Sequence, residues 1–210
     1  MKICIGIISY LPDNKIKRAN RGYQLNKLIK DCNRIFNLPI MIIAQNWKDF
    51  SIDDNITLFK YDQPLGIVGA RKELRQKFLN SDYDYLIMLD DDCEIQGTRS
   101  SGINYINEIK NHPGMFGIFN GTLLKLFAIS KEIFLQLDYG NGSVESGDFF
   151  EDILFVNTLL KKYPNKKFQF KKQDIFEKSN NYNDPNSTWF HGQFNKHNIG
   201  DKTRKILSTI

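Results

Sequence analysis

Hydrophobic residues in the first ninety positions follow two different periods. Continuous apolar runs at residues 2–9, 39–45, 56–61 and 85–89 predict buried strands. Between these runs, apolar residues recur at spacings of three and four, which is typical of helices that cover a sheet. The helical positions are Leu25, Leu28, Ile29, Cys32 and Ile35, and then Ile67, Ala70, Leu74 and Phe78. The order strand, helix, strand, strand, helix, strand predicts an α/β fold with a mostly parallel sheet flanked by helices.

The second half of the chain has a weaker pattern. Its spacing predicts helices over residues 103–111 and 151–162, and short strands over 115–119 and 123–130. A glycine-rich loop at 139–147 precedes the last helix, and a tail rich in Asn, Gly and aromatic residues follows it. A chain of 210 residues suits a single domain, so we expect one domain over residues 1–210.

Composition and charge narrow the class of protein. A hydrophobic fraction of 41% indicates a globular chain, and a formal charge of +5 favours phosphate-rich ligands or anionic surfaces. No apolar stretch is long enough to span a membrane, and the first residues lack a signal-peptide cleavage site, so we expect a cytoplasmic protein. The three cysteines, Cys4, Cys32 and Cys93, lack the close spacing of a zinc site and are predicted to be reduced core residues.

Polar side chains follow several of the predicted strands. Ser9 and Gln45 end the first and second strands, and Asp90, Asp91 and Asp92 follow the apolar run at 85–89. In an open parallel sheet the ligand crevice lies beyond the carboxyl ends of the strands, so we expect these side chains to gather there.

The three consecutive aspartates predict a metal site. Neighbouring carboxylates repel one another unless a cation lies among them. In an extended chain Asp90 and Asp92 point to one side and Asp91 to the other, so the outer pair is predicted to bind Mn²⁺ or Mg²⁺, which in turn can bridge a pyrophosphate. The alternative is that these acids only cap the next turn.

Two segments carry a family resemblance. The stretch Tyr85-Leu-Ile-Met-Leu-Asp-Asp-Asp resembles the DxD motif of GT-A glycosyltransferases, particularly the family 2-like group, and Leu65-Gly-Ile-Val-Gly-Ala-Arg-Lys resembles their Gly-x-x-x-Ala-Arg segment. The resemblance implies a Rossmann-like GT-A domain whose residues 1–95 bind a nucleotide sugar and whose residues 96–210 bind the acceptor. It implies a donor site formed by Ser9, Gly69, Arg71, Asp90 and Asp91, with Gly66 also allowing close backbone approach.

A third segment, Ser146-Gly-Asp-Phe-Phe-Glu-Asp-Ile-Leu-Phe, resembles the acceptor-side loop and Glu-Asp helix start of the same family. The resemblance implies that Asp152 is the base that takes the acceptor proton, with Glu151 as the other candidate, and that transfer proceeds with inversion. The alternative for either acid is simple stabilisation of a helix N-terminus, worth about 0.3–1 kcal/mol.

A late histidine completes the resemblance. Trp189-Phe-His-Gly resembles the segment that supplies a further metal ligand in many GT-A enzymes, which implies that His191 joins Asp90 and Asp92, with His197 as a second candidate. His112, before a proline turn, is predicted to be structural.

The sequence therefore predicts a metal-dependent glycosyltransferase that uses a nucleotide-diphosphate sugar. The acceptor is a saccharide or a glycolipid, with a modified nucleobase in DNA as an alternative. The main rival is a haloacid-dehalogenase-like phosphatase using Asp90, Asp92, Asp148 and Asp152, although about ninety residues precede its nucleophile motif. A nucleotidyltransferase is a further alternative, although it usually has a glycine- and lysine-rich loop after the first strand, and Ser9-Tyr-Leu-Pro is not such a loop. A non-catalytic sugar-binding protein is another alternative.

Overall fold

The structure of the chain is a computed structural model that describes residues 1–13, 15–47, 56–91, 93–118, 126–137, 151–170 and 176–179. Residues 16, 17, 151–154 and 176–179 are described by their backbone alone. The strands are β1 (Ile3–Tyr10), β2 (Ile40–Gln45), β3 (Ile56–Tyr61), β4 (Tyr85–Asp90), β5 (Cys93–Gln96), β6 (Phe116–Ile118), β7 (Phe127–Ser130), β8 (Lys167–Gln169) and β9 (Phe176–Ser179). The helices are α1 (Lys15–Ile35), α2 (Gly66–Leu79), α3 (Arg99–Asn111), α4 (Lys131–Leu135) and α5 (Glu151–Lys162), with a 3-10 turn at Pro164–Lys166.

Seven strands form the main sheet, in the order β3-β2-β1-β4-β7-β6-β8. Strands β1 to β4 run parallel, β7 is antiparallel to both β4 and β6, and β6 is parallel to β8. Every residue of β2 and β4 is buried. This agrees with their continuous apolar runs, which are typical of central strands covered on both faces. Strands β5 and β9 form a separate antiparallel pair. The predicted mostly parallel sheet is therefore confirmed, with an antiparallel strand inside it.

Helices cover both faces of this sheet. One core cluster joins α1 and α3 to the side chains of Ile5, Ile7, Ile87 and Leu89. The second joins α2, α4 and α5 to the residues that alternate with these, including Leu86 and Met88 of β4. Successive residues of β1 and β4 therefore face different helices, because side chains alternate across a strand. The same alternation places the side chains of Asp90 and Asp91, at the end of β4, on opposite faces of the sheet.

The differences from the predicted elements have local causes. Helix α1 begins at Lys15, ten residues before the first predicted apolar position. Its first half contains Lys, Arg and Ala, which favour a helix but add no apolar stripe to the pattern. The short strands β5, β8 and β9 were not predicted, since β5 pairs with a segment about eighty residues away and carries little pattern of its own. Within the described part of the chain, no helix is long and apolar enough to cross a membrane.

Candidate functional site

A cavity of about 310 Å³ lies at the carboxyl ends of β1, β2 and β4 and the start of α2. Its lining residues are Ile8, Ser9, Tyr10, Arg21, Gln45, Pro64, Gly66, Ile67, Asp90 and Asp91. The cavity lies where the strand order predicts a ligand crevice, and it gathers Ser9, Gln45 and two of the three aspartates. Its wall combines apolar side chains with buried charges, which is the usual composition of a small-molecule site.

Asp90 ends β4 on the face that α2 covers. Its Oδ1 lies 3.3 Å from Nη2 of Arg71, whose side chain is almost completely buried. Helix α2 brings Arg71 there together with the neighbouring Ala70 and Leu74, which pack on the same face of the sheet. Arg71 was predicted to lie near the nucleotide, and the structure places it directly against a cavity-lining carboxylate.

Asp91 faces the other side, towards α1. Its Oδ2 accepts a 2.5 Å hydrogen bond from the hydroxyl of Ser9 and lies 3.3 Å from Nε of Arg21. Burial raises the pKa of Asp91 above its usual range, while Arg21, the Ser9 hydroxyl and the Tyr10 backbone N–H act in the opposite direction. Removing one partner of such a buried pair typically costs about 3–5 kcal/mol. Through its contacts with Ser9 and Arg21, the Asp91 carboxylate connects the ends of β1 and β4 to α1.

The two ion pairs change the electrostatic argument made from sequence. Three adjacent aspartates were expected to need a cation because of their mutual repulsion. Asp90 and Asp91 each have an arginine partner, and the two pairs lie on opposite faces of the sheet. The protein itself therefore offsets two of the three negative charges, so the repulsion alone does not require a metal ion.

The end of β2 is connected to the start of α2. The backbone N–H of Leu65 donates a 2.7 Å hydrogen bond to Oε1 of Gln45. Gly66 follows with φ of +69°, a conformation that favours glycine, and it lines the cavity. Gly69, which was predicted to approach the donor, lies one turn further along α2, where an added Cβ would come within 3.1 Å of the Leu65 Cβ.

Asn46 secures the loop that follows β1. Its backbone has φ of +55°, and its Nδ2 donates 2.8 Å hydrogen bonds to the Leu11 carbonyl and to Oδ1 of Asp13. Its own carbonyl accepts a 2.9 Å hydrogen bond from Nη2 of Arg18. Asparagine tolerates this left-handed conformation better than most residues. These hydrogen bonds join the ends of β1 and β2 to the first turns of α1.

For the other predicted metal ligands and base candidates, the structure describes no side chain. Glu151 and Asp152 form the first turn of α5, as predicted, but only their backbone is described. Asp92, Asp148, His191 and His197 lie outside the described residues. Among the residues that the structure does describe, no three His, Cys, Asp or Glu side chains come together as a metal-binding group. The metal ligands and the base therefore stay predictions.

His112 makes the contacts of a structural residue. Its ring stacks on Phe168 with centroids 4.5 Å apart, and its Nδ1 lies 2.8 Å from the Glu108 carbonyl oxygen. These contacts connect the end of α3 to β8 at the far edge of the sheet, where they serve packing.

Arg21 is a charged site residue that the sequence interpretation missed. It belongs to a polar stretch and was not considered as a site residue. However, it precedes Leu25 by four positions and Leu28 by seven, which places it on the apolar face of α1. A charged residue on the buried face of a helix was the signal that could have identified it.

Comparison with known proteins identifies the fold. No protein-family model matches the chain, and no curated protein matches its sequence. Among solved structures, TarS 1–349 from S. aureus aligns at 13% identity with a TM-score of 0.57, covering 83% of this chain and 60% of that one. The same TarS segment in complex with UDP-GlcNAc aligns at 13% identity with a TM-score of 0.52, covering 83% and 58%.

A third structure, a proposed nucleotide-diphospho-sugar transferase from Desulfovibrio desulfuricans G20, aligns at 13% identity with a TM-score of 0.50, covering 80% of each chain. With respect to TarS, this chain spans about three fifths of the length of the matched segment. Identities this low are evidence of shared architecture only. Together with the strand order, they show that the chain has a GT-A-like fold.

Proposed function

We propose that this chain is a metal-dependent glycosyltransferase that moves a sugar from a nucleotide-diphosphate sugar to an acceptor hydroxyl. The observation that carries the proposal is the cavity at the carboxyl ends of β1, β2 and β4, which Asp90 and Asp91 line in a GT-A-like fold. TarS, which has the same type of fold, is known in complexes with UDP and with UDP-GlcNAc. A nucleotide-sugar donor is therefore the ligand class that we assign to the cavity.

The proposed metal ion is Mn²⁺ or Mg²⁺, held by Asp90 and Asp92 with His191 as a further ligand. Asp90 fits this role because its carboxylate lines the cavity, and oxygen donors suit these hard cations. When bound, the cation would supply positive charge to offset the departing diphosphate. Arg71 holds Asp90 in place by contacting its Oδ1.

Asp152 is the proposed base, with Glu151 beside it. In an inverting transfer, the acceptor oxygen forms a bond to the anomeric carbon while the bond to the diphosphate oxygen breaks, and the carboxylate takes the acceptor proton. A carboxylate in the first turn of a helix is held by a rigid element, and α5 begins at Glu151. We assign the acceptor to saccharides or glycolipids, with a modified nucleobase in DNA as the alternative that the charge of +5 permits.

The phosphatase alternative draws no support from the solved structures described above. One of its aspartates, Asp90, is paired with the buried Arg71, and its remaining motif residues lie outside the described side chains.

Thermal unfolding with a panel of nucleoside diphosphates and their sugars, each with and without Mn²⁺, tests the proposal. A ligand at one hundred times its Kd stabilises the folded state by about 2.7 kcal/mol. For a domain of this size we expect Tm to rise by roughly 5–10 °C with the cognate nucleotide. Asp90→Asn should lose the shift, whereas Asp82→Asn, an exposed acid before the amino end of β4, should keep it. No shift with any nucleotide, together with hydrolysis of an aryl phosphate, would favour the phosphatase instead.

A further inference from the structure

Two consecutive carboxylates in the cavity wall have separate arginine partners. Arg71 of α2 pairs with Asp90, and Arg21 of α1 pairs with Asp91, each at 3.3 Å. All four side chains are largely buried, so water screens their charges weakly. Because side chains alternate along the extended chain, the two helices reach neighbouring aspartates from opposite faces of the sheet.

We infer that Arg21 balances the charge of the cavity wall: by neutralising Asp91 it allows an anionic diphosphate to bind beside Asp90. This inference rests on the proposed function and assigns a role to a residue that neither the motifs nor the family resemblance identified. Asp91 is then a positioning residue, and the cation and the donor are left to Asp90 and Asp92.

The surroundings of Asp91 explain why the balance depends on Arg21. The Ser9 hydroxyl donates a 2.5 Å hydrogen bond to Oδ2 of Asp91, and the carboxylate also accepts a hydrogen bond from the Tyr10 backbone N–H. These two neutral donors hold the carboxylate in place without cancelling its charge. Removing the guanidinium would therefore leave an anchored negative charge in the cavity wall, where it would repel the phosphates of a nucleotide but not an uncharged nucleoside.

The test compares ligands that differ only in phosphate charge. Binding of UDP and of uridine, or of the diphosphate and nucleoside of whichever base the thermal panel selects, is measured by calorimetry with Mn²⁺ present. The pH is mildly alkaline so that carboxylates stay ionised. The variants are Arg21→Gln, Asp91→Asn and the double variant. Lys27→Gln, which removes an exposed cation of α1 that pairs with Glu94, is the matched control.

Arg21→Gln should leave uridine binding unchanged and weaken UDP binding roughly tenfold. That is the loss expected of one added unit charge acting on a phosphate charge over about 12 Å at an effective dielectric constant of about 20. Asp91→Asn should strengthen UDP binding by roughly threefold or more, a gain that an unfolded protein cannot produce. The double variant should return to within about threefold of the parent protein, because the two charges are removed together. Added salt should reduce these differences only slightly, because buried charges are weakly screened.

If the unmodified protein binds a nucleoside diphosphate, three outcomes would overturn the inference. If Arg21→Gln weakens uridine as much as UDP, the residue is only structural. If the double variant stays as weak as Arg21→Gln, then Arg21 contacts the nucleotide directly, and if Asp91→Asn weakens UDP binding, then Asp91 is itself a ligand. Should the unmodified protein bind no nucleoside diphosphate at all, the proposed function fails first, and the inference fails with it.

Discussion

The backbone N–H of Leu65 donates a 2.7 Å hydrogen bond to Oε1 of Gln45, which fixes the orientation of the buried Gln45 amide in the cavity wall. An N–H group requires an acceptor, so the oxygen of the amide, and not its nitrogen, faces Leu65. The contact joins the carboxyl end of β2 to the residue that precedes α2. The shape of the cavity in this region therefore depends on one side chain.

Replacing Gln45 with leucine should destabilise the protein by about 1–2 kcal/mol, because the Leu65 N–H loses its acceptor in a partly buried place. The control Gln76→Leu removes an exposed amide of α2 and leaves no buried donor unpaired, so it should cost less. Urea unfolding of the two variants measures the difference. Equal losses of stability would show that the hydrogen bond does not hold this connection.

Gly66→Ala should destabilise by about 1 kcal/mol, since an alanine at φ of +69° enters the left-handed region. The matched control is Gly22→Ala in the interior of α1, where an added Cβ meets nothing within 4 Å. That change should stabilise by roughly 0.5–1 kcal/mol, because alanine is the better helix former. The opposite signs can be read from the two unfolding midpoints. A neutral Gly66→Ala would contradict the conformational argument.

Two buried thiols should be inert in the folded protein. Burial raises the pKa of both the Cys4 and the Cys32 thiol, so the reactive thiolate does not form at neutral or mildly alkaline pH. Labelling with a disulfide reagent should therefore be slow in buffer, should accelerate little between pH 7 and 9, and should become fast in denaturant. Rapid labelling of Cys32 in buffer would contradict the packing of α1 on the sheet.

The fold followed from sequence wherever local pattern and burial agree. The strands β1, β2 and β4 could be predicted because parallel central strands are buried on both faces and so appear as uninterrupted apolar runs. Strands β5 and β8 could not, because their pairing depends on distant segments and three or four residues carry little periodicity. The polar first half of α1 was missed for a related reason, since helix propensity without an apolar stripe is a weak signal.

The site was predicted as a set of motif residues but not as an arrangement of charges. Ser9, Asp90 and Asp91 meet where the strand ends required. Alternation along the chain predicted that Asp91 points away from Asp90, but not that it faces α1 or pairs with Arg21. Arg21 is 70 positions away in sequence, and only the packing of α1 on the sheet brings its guanidinium to the carboxylate.

Asp92→Asn should abolish the dependence of donor binding on the metal ion. The proposed function makes Asp92 a metal ligand, and an amide oxygen binds Mn²⁺ more weakly than a carboxylate because it carries no charge. Titration of the nucleotide in the presence and absence of Mn²⁺ measures this dependence, with Asp82→Asn as the control acid. If Asp92→Asn binds the donor with the same metal dependence as the parent protein, the cation is held by other residues.

Asp152→Asn should leave donor binding intact and reduce transfer by at least about a hundredfold, the usual contribution of general base catalysis. The amide has nearly the same shape as the carboxylate but cannot take a proton from the acceptor. Measuring nucleotide affinity and product formation on the same preparation separates the two effects, and Glu151→Gln provides the neighbouring comparison. A variant that loses both properties would indicate a role in folding, whereas one that keeps full transfer would move the base to Glu151 or elsewhere. The comparison needs an acceptor, so saccharides and glycolipids should be screened first with the parent protein.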